Sequence, residues 1–291
     1  MPPTGPPPDW ARVEIAVPRP ADRLPGIAMA GFRQRVPAVA DIAMVAHPSV
    51  TLLVDLSETD GLAYRAHDRH GHGSLVAGLV PGGLRTGGRV GACLQIRLGP
   101  VAAASVLGAA ADLTGTVVSL EDVWGRDAGR AEDRLRAAAS WDERFAIAAE
   151  ILARRPETRR RVDPEVAHAW RRTLAGRGRT RVDGLADEVG WSRKRLWSRF
   201  RSQLGITPKR AARLVRFDHA AHLLVAGDAA ADVAARCGYA DQSHLHREVR
   251  TFTGLTPAAV AVAPWLAIDD VAWPASPRPP RSLSRSVIGA R

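Results

Sequence analysis

Twelve polar and aromatic residues fall on two short stretches, 192–203 and 241–253, at spacings that suit contact with nucleic acid. At roughly 100° per residue, Leu196 and Phe200 take one helix face and leave Lys194, Ser198 and Arg201 opposite, with Trp197 on the flank. In the second stretch Leu245, Val249 and Phe252 face inward, and Ser243, His246, Arg247 and Arg250 face out. Gln242 and His244 lie near its N-terminal end. Arginine and lysine donate to guanine, glutamine pairs with adenine, and an aromatic ring packs on a thymine methyl. Lys194, Trp197, Ser198, Gln242, Ser243, His244, His246 and Arg247 are therefore candidate base contacts. Ser192, Arg193, Arg201 and Arg250 are candidate phosphate contacts, which set position without reading sequence.

The elements that must position these side chains occur twice. Leu185, Ala186, Val189, Gly190, Trp191, Leu196, Phe200, Gly205, Thr207 and Pro208 are echoed by Val233, Ala234, Cys237, Gly238, Tyr239, Leu245, Val249, Gly254, Thr256 and Pro257. A self-similarity of this length marks a duplicated supersecondary unit. In each copy a short apolar-patterned helix ends at a glycine, which closes a helix in the left-handed conformation. An aromatic follows, then an N-cap candidate, Ser192 or Asp241. A second helix runs on to Gly205 or Gly254. This is the layout that places its second helix in a DNA major groove. Residues 208–225 predict a joining helix about 27 Å long, at about 1.5 Å per residue. Its apolar positions leave Lys209, Arg210, Arg213 and Arg216 to face outward. Such a helix can set the two recognition helices about one DNA turn, ~34 Å, apart.

The stretches Gly-Tyr-Ala-Asp-Gln-Ser-His-Leu-His-Arg from Gly238 and Leu-Ala-Asp-Glu-Val-Gly-Trp-Ser from Leu185, both followed by Gly-x-Thr-Pro, resemble the module of AraC/XylS-type transcription regulators. The likeness spans roughly 162–262, about a third of the chain. Val249 departs from the pattern, where the family usually has Phe, and reads as a smaller core plug. The resemblance implies a sequence-specific regulator that inserts helices 192–203 and 241–253 into successive major-groove segments of promoter or operator DNA. It also implies a β-rich, cupin-like N-terminal domain for effector sensing or dimerisation. A small-molecule effector, RNA polymerase and a second copy of the chain through the N-terminal region are the further partners it suggests. A cytoplasmic, nucleoid-associated bacterial protein follows, with no cofactor.

Charge agrees with this placement. The formal net charge is +11. Residues 161–263 hold 18 basic and 10 acidic residues, whereas 1–125 hold 10 and 11. A general preference for arginine would spread the excess evenly; a surface that meets phosphates concentrates it. The two cysteines, Cys93 and Cys237, read as buried small hydrophobes in a reducing compartment. Neither a signal peptide nor a membrane span is predicted.

The fold class expected is a two-domain α+β chain: a β-rich N-terminal domain, then an all-α domain with two helix-turn-helix units joined by a long helix. Residues 1–10 are Pro-rich and predicted disordered; 11–125 form the sensor domain. Within it 50–56, 74–80 and 92–98 are the best strands, 100–111 an Ala-rich helix, and Pro81-Gly82-Gly83 and Thr86-Gly87-Gly88 turns. Residues 126–160 are a helical connector or dimerisation hairpin, striped by Leu135, Ala138 and Ala139 and then by Phe145, Ala148, Ala149 and Leu152. The DNA-binding domain spans 161–263, and 264–291 form a disordered Pro/Arg tail.

Enzymatic readings find little support. His67, His70 and His72 could offer metal ligands, but their spacing in a Gly-rich loop is not a specific zinc pattern, so no metal is expected. Asp55, Ser57 and Glu58 lack a nucleophile elbow. DNA-repair methyltransferases carry a similar module but need a reactive cysteine in a Pro-Cys-His-like site, and Cys93 lies in Gly-Ala-Cys-Leu. A purely architectural DNA-binding protein would not need polar and aromatic residues on both outward faces.

Overall fold

A computed structural model of the chain describes residues 9–35, 40–58, 61–66, 69–80, 84–88, 91–108, 111–154, 161–263, 266 and 268–273. His67, the Pro81-Gly82-Gly83 turn and most of the predicted terminal tails lie outside the described residues.

The N-terminal half is two antiparallel sheets. The larger contains β1 (Val13–Ala16), β2 (Ile27–Gln34), β4 (Val50–Asp55), β7 (Leu75–Ala77), β9 (Ala92–Leu98) and β10 (Val117–Ser119). Its strand order is β1-β2-β9-β4-β7-β10. The smaller sheet joins β3 (Ala40–Ala43), β8 (Arg85–Gly88), β5 (Ala63–Ala66) and β6 (Arg69–His72), in the order β3-β8-β5-β6. All six residues of β4 are buried, because this strand is central and covered on both faces. Strands 50–56 and 92–98 match the sequence expectation closely. Residues 86–88 do not: they form β8, where a turn was expected. Gly87 and Gly88 pair with Asp41 and Ala40, and a Cβ on Gly88 would sit 2.7 Å from the Gly61 carbonyl oxygen. The glycines there allow close strand approach, so their turn-like chemistry misleads.

Helix α1 (Pro100–Leu107) follows β9, and α2 (Leu120–Trp124) follows β10 with a capping box on Ser119 and Asp122. Helices α3 (Asp127–Ala137) and α4 (Trp141–Ala153) form the hairpin expected over 126–160. Arg144, itself buried, closes the turn between them by donating to the carbonyls of Leu135 and Ala138 at 3.0 and 2.7 Å. Ala139, expected in the apolar stripe, is exposed because the chain leaves the helix at Ala138.

The C-terminal half is helical: α5 (Pro164–Ala175), α6 (Val182–Glu188), α7 (Arg193–Leu204), α8 (Pro208–Val225), α9 (Ala230–Cys237), α10 (Gln242–Thr253) and α11 (Pro257–Ala261). One apolar core runs without a break from Leu52, Leu94 and Ile96 in the large sheet to Phe200, Phe217 and Leu245 in these helices. Each such fully buried side chain contributes about 1.5–3 kcal/mol over an exposed one.

Two terminal stretches are more ordered than expected. Asp9 caps a short 3-10 turn, and the Trp10 ring lies 6.5 Å from Phe32. Beyond residue 263, α12 (Asp269–Ala272) is formed and Trp273 is buried. Proline and charge around them suggested disorder, but large aromatics can find apolar surface to cover.

Trp141 at the start of α4 packs against the backbone of Gly31 on β2, where a Cβ would fall inside the ring's contact distance. Trp141 is itself buried. Gly31→Ala is therefore expected to destabilise the chain by about 1–3 kcal/mol through overpacking, measured as a lowered midpoint of chemical denaturation. An unchanged midpoint would show that the ring moves freely.

Candidate nucleic-acid interface

Both units are built as the duplication predicts. In the first, α6 leads through Gly190 to Ser192, whose hydroxyl accepts from the Arg195 backbone N–H at 3.2 Å and starts α7. In the second, α9 leads through Gly238, at φ 72°, to Asp241, whose carboxylate accepts from the His244 N–H at 2.7 Å and starts α10. Such a cap is worth about 1 kcal/mol. α7 and α10 each run twelve residues and end on a left-handed glycine with φ 72° and ψ −2°. Leu196 and Phe200 of α7 and Leu245 and Val249 of α10 are fully buried. The inward faces inferred from periodicity are those that pack.

The outward residues fall into place with one exception. Lys194, Trp197, Ser198, Gln242, Ser243, His246 and Arg247 are exposed, as are Ser192, Arg193, Arg201 and Arg250. Trp197 is 45% exposed, unusual for so large a ring. The Arg201 guanidinium sits 5.3 Å from its ring centre, holding a cation beside an apolar plane. Arg193 pairs with Asp183 across the first unit at 3.0 Å. His244 is half-buried: its ring meets Tyr239 edge-on at 5.2 Å, and its Nδ1 accepts from the Ala240 N–H at 3.4 Å. It braces the turn of the second unit.

Electrostatics fix the interface from beneath. Glu248 lies in the middle of α10 and is buried. Arg213 of α8 donates to it through Nε, at 3.1 and 3.0 Å to the two oxygens, and through Nη2 at 2.7 Å. Arg216 approaches the same carboxylate at 3.6 Å and lies over the Tyr239 ring at 4.6 Å. Hydrogen bonding to Glu248 raises the Arg213 guanidinium above its ordinary value, and burial raises the Tyr239 phenol. Arg213 and Arg216 were expected to face outward; instead they are drawn in, because a buried carboxylate needs cationic partners. Glu248 escaped the sequence reading, although it lies three residues from Leu245 and four from Phe252, beside the apolar face. In the first unit the corresponding work falls to exposed groups. Glu188 at the end of α6 accepts two bonds from Arg172, at 2.9 and 3.0 Å, and meets His168 at 3.0 Å. Those bonds, Arg172 first and His168 second, hold its carboxyl down to about 2.

Arg179, Arg181, Lys209 and Arg247 border one open groove between the two units. His70 and His72 are exposed on β6, and among the described residues no group of three or more His, Cys, Asp or Glu is arranged to hold a metal ion. Cys93 is half-buried and Cys237 buried; burial raises both thiols, Cys93 to about 12.

Glu248→Ala is expected to cost about 1–3 kcal/mol, because it strands two cations against α10. Glu248→Gln, which keeps part of the hydrogen bonding, should cost less. Chemical denaturation of both variants, followed by circular dichroism, measures the order. Equal stability of all three proteins would remove the ion pair from the list of what holds α10.

Comparison with known proteins gives one family match in this half of the chain and structural likenesses of shorter and longer reach. Residues 185–261 match the model of a helix-turn-helix domain family. No curated protein matches the chain significantly. Among solved structures, the C-terminal domain of AraT, a response regulator from Geobacillus stearothermophilus, is 21% identical, with a TM-score of 0.33 over 35% of this chain and 87% of that one. The DNA-binding domain of AdpA, solved with a target DNA, is 27% identical, with a TM-score of 0.31 over 38% of this chain and 97% of that one. ToxT from Vibrio cholerae O395 is 10% identical, with a TM-score of 0.44 over 84% of this chain and 98% of that one. With the family match spanning both recognition helices and the helix between them, residues 185–261 are a helix-turn-helix domain.

Proposed function

We propose that this regulator reads its site by inserting α7 and α10 into successive major-groove segments. Lys194, Trp197 and Ser198 contact bases at one half-site, and Gln242, Ser243, His246 and Arg247 at the other. Ser192, Arg193, Arg201 and Arg250 grip phosphates, and His244 acts through the turn it braces more than through bases. The observation that supports this best is that both helices hide their apolar faces completely while these hydrogen-bonding side chains stay exposed.

The units we assign are 11–125 for sensing, 126–160 as connector and 161–263 for DNA binding. A small-molecule effector would occupy the cavity of about 140 Å³ between the sheets and α8, lined by Phe32, Met44, Leu53, Leu62 and Phe217 among others. Pairing of two copies through the N-terminal region and contact with RNA polymerase complete the reading. The protein acts on nucleoid DNA in the cytoplasm without catalysing a reaction. Among the described residues no helix is long and apolar enough to cross a membrane.

Binding titrations of the full chain test the base contacts, using a duplex recovered by selection from a random pool and an unselected duplex. Arg247→Ala should cost ~1–3 kcal/mol on the selected duplex and much less on the other. Equal losses on both would make Arg247 a phosphate anchor, and no loss on either a bystander. Ser198 holds the matching place in α7 and cannot form a bidentate contact with guanine, so Ser198→Ala should cost less and the two half-sites should differ in sequence. With six to ten phosphate contacts, affinity should fall ~10³–10⁵-fold between 50 and 200 mM salt. A flat response would detach the basic surface from DNA binding.

A further inference from the structure

The chain does not end its packing with the DNA-binding helices. Beyond α11, Leu266, Ile268, α12 and Trp273 come to lie against the N-terminal sheets. Ala272 and Trp273 form an apolar cluster of their own with Ala30 of β2, flanked by Ile15, Val17 and Phe32. Arg97 of β9 lies over the Trp273 ring, 4.0 Å from its centre, and donates to Asp269 Oδ1 at 3.2 Å. The second oxygen of Asp269 meets His222 Nε2 on α8 at 2.8 Å. His222 Nδ1 in turn meets the Asp218 carbonyl at 2.7 Å. A carbonyl and a carboxylate both accept, so the ring serves both with a proton on each nitrogen.

Asp269 thus joins three parts of the fold that are far apart in sequence: the sheet, the terminal segment and the helix that links the two recognition units. Burial alone would raise its carboxyl, but Arg97 and the His222 hydrogen bond outweigh it and hold the group ionised. Beside it, burial and then Arg97 push His47 down to about 4, so that ring is neutral near pH 7 while it faces Asp218 at 3.6 Å. Leu266, Ile268, Asp269 and Trp273 also line the cavity, as do Phe217, Asp218 and Ala221 of α8.

We propose that Leu266 and residues 268–273 are a latch that couples the contents of this cavity to α8, and through α8 to the relative placement of the two recognition helices. The proposal rests on the DNA-binding reading and assigns its regulation. Asp269 and Trp273 both line the cavity, Asp269 also joins α8 to β9, and Trp273 stacks under the same Arg97. Coupling of this kind is reciprocal, so DNA bound at α7 and α10 must alter the sheet in return.

Hydrogen exchange on the full chain separates the outcomes. In the free protein, Asp269→Asn, which keeps the side chain's shape, and Trp273→Ala should each speed exchange several-fold in the latch, in the C-terminal half of α8 and in β9 together. Faster exchange confined to Leu266 and residues 268–273 would overturn the latch. With the selected duplex added, the wild type should change its exchange in β9 and β2, and Asp269→Asn should lose that change while still binding the duplex. A wild type that binds DNA with no change in the sheet would overturn the coupling and leave the DNA reading standing. Failure of the wild type to bind any duplex would sink the DNA reading, and the free-protein arm would still decide whether the latch joins α8 to the sheet.

Discussion

Helix α8 has to satisfy three neighbours at once, and the rest of the structure depends on how it does so. Its eighteen residues bury Ala211, Leu214, Val215, Phe217, Ala220, Ala221, Leu223 and Leu224. That apolar surface is too wide for one partner. It packs on α5 and α7 of the first unit, on α9, α10 and α11 of the second, and on the cavity wall at Phe217, Asp218 and Ala221. A helix buried along so much of its girth cannot turn or slide without opening a core somewhere, and close-packed interiors resist that strongly. The separation of the recognition helices is therefore set by how α8 packs, and only something that repacks α8 can change it.

The polar residues of α8 divide according to which neighbour they meet. Arg213 and Arg216 point to the second unit and neutralise Glu248. Asp218 and His222 point to the sheet and meet His47 and Asp269. Both carboxylates, Glu248 and Asp269, are buried and both are met by arginine. A buried ion pair adds little net stability, but its geometry excludes other registers and punishes loss of one partner. Placing one pair toward each side of the same helix fixes its rotation as well as its position.

Much of this was legible in the sequence because it follows local rules. The helix-turn-helix repeat shows in Gly190 and Gly238, in the caps Ser192 and Asp241, and in the inward spacing of Leu196, Phe200, Leu245 and Val249. Periodicity and capping act within a few residues, so a single chain suffices to see them. What escaped was decided across long distances. Gly87 and Gly88 look like a turn until β3 and β5 are placed beside them. Arg213 and Arg216 look exposed until Glu248 is placed beneath them. Trp273 looks like part of a polar tail until Arg97 and Ala30, more than 170 residues earlier, offer it a surface. The candidate base contacts were legible as faces, yet only the fold shows that His244 is half-buried against Tyr239.

The two recognition helices share backbone geometry but are held by different forces. In the first unit Phe200 fills the core and tilts against Trp170 of α5, with ring centres 6.5 Å apart. In the second, Val249 takes the equivalent place with less volume. The stacked pair Phe217 and Phe252, 5.0 Å apart, supplies aromatic bulk from a neighbouring position, and the Glu248 pair with Arg213 supplies a polar lock. Apolar packing depends little on salt, whereas a half-exposed arginine on a carboxylate is weakened by it and can be drawn toward a nearby phosphate. Arg213 borders the same groove as Arg247 and Lys209. An anion entering that groove would compete with Glu248 for Arg213, whereas α7 is seated by its aromatic core without such an ion pair.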